Sequence, residues 1–143
     1  MRVVLDTNVA LDWLVFQESA LQPLSYAVSD GRVSLLTHAP ALDELQRVLQ
    51  YPQFGLEAHQ QERIFNQYSQ MTHLLEDCAE GQELPRGLPL CSDPDDDHFL
   101  ALAYLARADA LISKDRQVLA LKKRMAKFGV SVLTPQQFML IAT

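Results

Sequence analysis

Short, wholly apolar runs that end abruptly at a polar residue and give way to helical patterning recur along this chain, and this alternation limits the available folds more than any other feature. Val3-Val4-Leu5 halts at Asp6, and apolar positions resume at helical spacing from Val9 to Phe16. Arg32 to Leu36, Ala110 to Ser113 and Val130 to Leu133 read as three further strands. Between them, Leu21 to Val28 continues as helix with Pro23 in an early turn, and Asp30-Gly31 closes it. A helix from about Pro40 carries Leu42, Leu45, Val48 and Leu49 on one face and stops before Tyr51-Pro52, because the residue preceding a proline is pushed out of the α region. Glu57 to about Leu75 reads as a polar outer or lid helix, Glu80 to Leu90 as a loop, Phe99 to Ala106 as an Ala-rich helix, and Arg116 to Phe128 as a helix ended by Gly129. Thr134-Pro135 opens a last short helix, with Thr as N-cap and Pro at the first helical position. Strands without polar alternation, separated by helices, imply an α/β fold with a parallel sheet covered on both faces.

The length of 143 residues suits a single domain, 1–143, and would leave two halves too small to fold alone. The longest apolar run, Phe99 to Ala106, is far below the roughly 20 residues of a membrane span. Met1 to Leu5 is cut short by Asp6 and does not resemble a signal peptide, so a cytoplasmic protein with no membrane association is expected. Cys78 and Cys91 have no metal or redox spacing and read as reduced, partly buried thiols.

Carboxylates cluster where strands end or helices begin. Asp6 follows the first strand; Asp43 and Glu44 lie on the helix from Pro40; Asp93, Asp95, Asp96 and Asp97 precede the most apolar helix; Asp115 follows the strand at 110–113. In open parallel sheets ligands bind beyond the carboxyl ends of the strands, which puts Asp6 and Asp115 on one edge. Each has a plain structural alternative. Asp6 and Asp115 are good N-caps, Glu44 could be a solvated residue paired with Arg47, and an acidic helix start complements the macrodipole. Yet carboxylates converging from remote segments repel one another, and hard divalent cations are the common means of holding them together. The net charge is −6, but six of the twelve basic side chains stand between 114 and 127 (Lys114, Arg116, Lys122, Lys123, Arg124, Lys127) beside one acid, Asp115. That segment is either a solvated helix face or a track for a phosphate backbone. His98 adjoins the acidic cluster and reads as an ion-pair partner, while His38, His59 and His73 have no partner at ligand spacing. Trp13 reads as a core or interface residue. No Ser-His-Asp or Cys-His set can be assembled, and glycine is too scarce for a phosphate-cradling loop.

Val4-Leu5-Asp6-Thr7-Asn8-Val9, Leu42-Asp43-Glu44-Leu45-Gln46-Arg47-Val48-Leu49, Asp93-Pro94-Asp95-Asp96-Asp97-His98-Phe99-Leu100-Ala101-Leu102-Ala103 and Ala108-Asp109-Ala110-Leu111-Ile112-Ser113-Lys114-Asp115 together resemble the successive motifs of the PIN domain. The branch they resemble is that of the toxins of toxin–antitoxin pairs, the VapC-like ribonucleases. The resemblance runs from Met1 to about Phe138. It implies a three-layer α/β/α sandwich with a mainly parallel central sheet and Mg²⁺- or Mn²⁺-dependent cleavage of single-stranded RNA. Its acidic site falls on Asp6, Glu44, Asp96 and Asp115, with metal ligands among Asp6, Asp96 and Asp115 and with Asp97 as the alternate third acid. Asn8 and Ser113 would support that site, and Lys114, Arg116, Lys122, Lys123 and Arg124 would meet the RNA. A cognate antitoxin protein and a homodimer follow from the resemblance only; the apolar residues near Phe16, Leu21 and Phe65 read as exposed, and the sequence does not say whether they form its interface. The competing readings are a catalytically silent protein- or nucleic-acid-binding module of the same fold, then a metal-dependent phosphatase or DNA nuclease.

Overall fold

The strands β1 (Arg2–Leu5), β2 (Ser34–Thr37), β3 (Thr72–Leu74), β4 (Ala110–Ile112) and β5 (Ser131–Leu133) form one all-parallel sheet in the order β3-β2-β1-β4-β5. The computed structural model describes residues 1–76, 86–89 and 97–142, with Asp97 described by its backbone alone. Register is tight at the centre. Val3 lies opposite Leu35 on one side and Ala110 on the other, and Leu5 lies opposite Ile112.

Successive side chains of a strand point to opposite faces, and here both faces are apolar. Val3, Leu5, Leu35, Ala110, Ile112 and Leu133 face one layer, built from α1 (Thr7–Leu14), α2 (Pro23–Ser29), α3 (Ala39–Leu49), α4 (Ala58–Met71) and α8 (Pro135–Ala142). Val4, Leu36, Leu111 and Val132 face the other, where α5 (Asp97–Leu105), α6 (Arg116–Leu119) and α7 (Lys122–Ala126) supply Phe99, Leu102, Ala103, Val118 and Met125, with Leu121 from the turn between α6 and α7. Each fully buried aliphatic side chain in these two cores contributes about 1.5–3 kcal/mol. The result is the three-layer α/β/α sandwich expected from the sequence. Among the described residues no helix is long and apolar enough to cross a membrane.

Three local expectations are revised. The polar helix expected over Glu57 to Leu75 ends at Met71, where the Thr72 hydroxyl donates to the Tyr68 carbonyl at 2.9 Å; Thr72, His73 and Leu74 then pair with Leu35, Leu36 and Thr37 as the edge strand. The helix expected over Arg116 to Phe128 is two helices, because the Leu121 N–H bonds to Val118 three residues back and tightens one turn. Leu21, grouped with Phe16 and Phe65 as a surface residue, is 1% exposed, and Trp13 lies in the same core with its indole N–H on Ser25 Oγ at 3.1 Å. Thr134 does cap α8, donating its N–H to Gln137 Oε1 and accepting the Gln137 N–H on its hydroxyl. Cys78, Cys91 and most of the loop over Glu80 to Leu90 lie outside the described residues.

Candidate active site

The strand order sets the place of the site. The chain builds outward from β1 through β2 to β3, then returns to the other flank of β1 for β4 and β5, so β1 and β4 bracket the point where the winding reverses. The crevice beyond the carboxyl ends of such a pair is open to side chains from both strands' exits. Asp6 leaves β1 there, with its N–H on the Ile112 carbonyl at 3.0 Å, and Ser113 and Asp115 leave β4 beside it.

Asp6 is only 5% exposed. One carboxylate oxygen accepts the Asn8 N–H at 3.0 Å, which caps α1, and the other accepts the Ser113 hydroxyl at 2.8 Å. Burial pushes its pKa up from the ordinary carboxylate value; the Ser113 and Asn8 bonds pull it down, while Glu44 and Asp115 add to the rise. The same Ser113 oxygen accepts the Asp115 N–H at 3.0 Å, so one buried hydroxyl ties both acids to the sheet edge. Asp115 in turn caps α6 through the Gln117 N–H at 2.8 Å. Capping and convergence are thus properties of the same residues, not alternatives.

Glu44 reaches the crevice from α3. Its Oε2 accepts the Thr7 hydroxyl and lies 3.5 Å from His98 Nε2 at the start of α5. Burial alone would lift its pKa, but the His98 and Thr7 hydrogen bonds and the nearby charges of His98 and Arg47 outweigh it and hold the value below normal. Asp43, its rival in sequence, is exposed on the outer side of the helix. Asn8 is exposed, and its backbone rather than its side chain makes the bond to Asp6. Asp93, Asp95 and Asp96 lie outside the described residues, as does the side chain of Asp97; the backbone of Asp97 opens α5, next to His98.

Four neighbours escape the sequence reading. His38 follows β2 as Asp6 follows β1, caps α3 by accepting the Ala41 N–H on Nδ1 at 3.2 Å, and stands 5.3 Å from the His98 ring. Burial, with the adjacent His98, holds its pKa down at about 4. Asp12 is buried on α1 and carries the Lys114 ammonium, which binds the turn after β4 to α1; its signal was a carboxylate among the apolar Val9, Ala10, Leu11 and Trp13. The Tyr68 phenol is buried beneath the site, its pKa raised by burial and then by the charge of Asp6. Thr7, which the sequence offers only as a cap, positions Glu44. The cations Arg116, Lys122, Lys123 and Arg124 are exposed along α6 and α7, while Lys114 is engaged by Asp12.

The donor chemistry suits a hard cation: carboxylate and hydroxyl oxygens, mutually repelling acids, and no thiolate within the described set. Among the described residues, however, no three His, Cys, Asp or Glu side chains stand close enough together to hold a metal ion. Asp6, Glu44 and Asp115 therefore make an acidic edge that wants a further acid to complete a ligand set.

Comparison with known proteins adds one finding. The sequence signature of the PIN domain matches residues 2–117, from the first strand through the start of α6. Neither curated proteins nor solved structures gave a match. The matched stretch holds β1, the α3 acid, the start of α5 and the β4 exit, and on that ground the chain belongs to the PIN domain family, whose members are generally nucleases.

Proposed function

We propose that this chain is a divalent-metal-dependent endoribonuclease acting on single-stranded RNA, and the toxin of a two-component toxin–antitoxin pair. The observation that carries the reading is the convergence of Asp6, Glu44 and Asp115 on one sheet edge, with Asp6 and Asp115 held by a shared buried hydroxyl. Asp6, Asp115 and Asp96, with Asp97 as alternate, would hold Mg²⁺ or Mn²⁺. When bound, such an ion lowers the pKa of an attacking water and neutralises charge on the scissile phosphate.

The chain's own groups prepare that chemistry. Ser113 orients Asp6 and fixes the backbone of Asp115. Thr7 and His98 keep Glu44 ionised, as a proton acceptor must be. Arg116, Lys122, Lys123 and Arg124 attract the phosphate backbone, with Lys114 at the head of the segment. The antitoxin and homodimer assignments rest on the sequence resemblance, the reading of 1–143 as one domain on the chain length, and the cytoplasmic location on the lack of a signal-peptide pattern at Met1 to Leu5.

The test is cleavage of a labelled single-stranded RNA pool in Mg²⁺, Mn²⁺ or EDTA, with Asp6→Asn and Asp96→Asn in parallel. Cutting that needs metal and disappears in both variants is the expected result. The second reading is a catalytically silent binding module of the same fold. Folded protein, free of any copurified inhibitor, that cuts nothing under any metal would put that reading first.

A further inference from the structure

At the amino ends of the strands, the edge farthest from the carboxylates, a cavity of about 460 Å³ is lined by Tyr104, Leu105, Arg107, Asp109, Phe128 and Gly129. The Tyr104 and Phe128 rings cross edge to face at 89°, centroids 6.0 Å apart. Both are half-buried, so they form a fixed aromatic wall and not a pair of loose surface rings. Among the described residues the one acid lining the cavity is Asp109, which accepts the Arg2 N–H at 2.8 Å, and the exposed Arg107 stands at the rim.

The route to this cavity is basic. From Asp115 at the carboxylate edge, α6 and α7 run down the sheet face to Phe128 and Gly129, just before β5. Val118, Leu121 and Met125 turn inward, and Arg116, Lys122, Lys123, Arg124 and Lys127 are exposed, with no ion pair to any described residue. At 1.5 Å per residue α6 and α7 rise about 6 and about 7.5 Å, joined by the turn at Ala120 and Leu121. A cationic stretch that ends on aromatic rings is the combination that single-stranded nucleic acids recognise, the cations through phosphates and the rings through base stacking.

We propose that the cavity is a nucleobase pocket, remote from the cleavage site, that takes one base of a single-stranded RNA whose backbone follows α6 and α7. The proposal rests on the nuclease reading above and extends it: substrates long enough to reach both edges are held better than short ones.

The test measures binding of fluorescein-labelled oligoribonucleotides of about 3 and about 12 nucleotides in the Asp6→Asn background, alone and combined with Tyr104→Leu or Arg107→Gly. Arg107 has a left-handed backbone (φ 54°), which glycine adopts without steric strain, so Arg107→Gly removes the guanidinium and keeps the local backbone conformation. The expected result is an affinity for the longer RNA lowered about tenfold by Tyr104→Leu and severalfold by Arg107→Gly, with the trimer unchanged. Unchanged affinity for the longer RNA, or equal losses for both lengths, would overturn the pocket and leave the nuclease intact. An Asp6→Asn protein that binds neither RNA, from a parent that cuts none, would remove both readings together.

Discussion

Asp6 and His38 occupy the same place in successive units of the fold. Each follows a buried parallel strand, each caps the next helix by accepting a backbone N–H, and each is almost fully enclosed. Burial drives both toward their neutral forms, the carboxyl upward and the imidazole down to about 4. They differ in their company, although the charge of Glu44 bears on both. Asp6 also faces Asp115 and receives the Ser113 hydroxyl, whereas His38 faces another imidazole. Capping is thus common to both strand exits, and function is to be sought at the one where like charges are gathered.

Asp6→Asn separates the two roles most sharply. Asparagine caps as well as aspartate, so the fold should persist while metal-dependent cleavage falls by roughly a thousandfold. Because the folded carboxyl titrates above its unfolded value of 3.8, its ionised form weighs against folding at neutral pH; in EDTA the variant should melt higher than the parent at pH 7, the advantage vanishing below that value. Loss of the fold in Asp6→Asn would show that the fold needs the carboxylate itself and not only a cap, and would break the comparison. Ser113→Ala should cut cleavage about 10- to 100-fold and cost about 1 kcal/mol in urea unfolding, since two acids lose one anchor.

His38 gives the opposite pH signature. Its folded value of about 4 lies below 6.5, so the unfolded chain takes the proton first. The stability present above pH 6.5 is lost as pH falls toward 4, by about 3 kcal/mol at full extent. His38→Asn should flatten that part of the stability profile, measured as urea midpoints across the range; an unchanged slope would show that the burial of His38 carries no such cost. The smallest effect is expected for Asp43→Asn, exposed beside Glu44, which should alter stability by less than about 0.5 kcal/mol and leave cleavage unchanged.

What the sequence could reveal depended on whether a signal was local. β1 and β4 were legible because Val3-Val4-Leu5 and Ala110-Leu111-Ile112 are apolar on both faces, Asp6 because it directly ends the first run and Asp115 because it follows the second by three residues. β3 was not, since at the sheet's margin Thr72, His73 and Leu74 are half to fully exposed and continue the irregular spacing of α4. The break between α6 and α7 was hidden because Val118, Leu121 and Met125 keep a helix's spacing through it. The Thr7–Glu44 bond and the meeting of His38 with His98 join residues tens of positions apart, and pattern reading has no access to such pairs.

The central place of β1 has one more consequence, for the order in which the molecule can be made. The first strand waits for β2 to pair on one flank and for β4 on the other, and the bond from Ser113 to Asp6 closes a separation of 107 residues. Such distant pairing comes late in folding, after the intervening loop entropy has been overcome. A nascent chain that stops before β4 would carry Asp6 and Glu44 without Ser113 and Asp115, so the acidic edge assembles only after the chain has been made through Asp115.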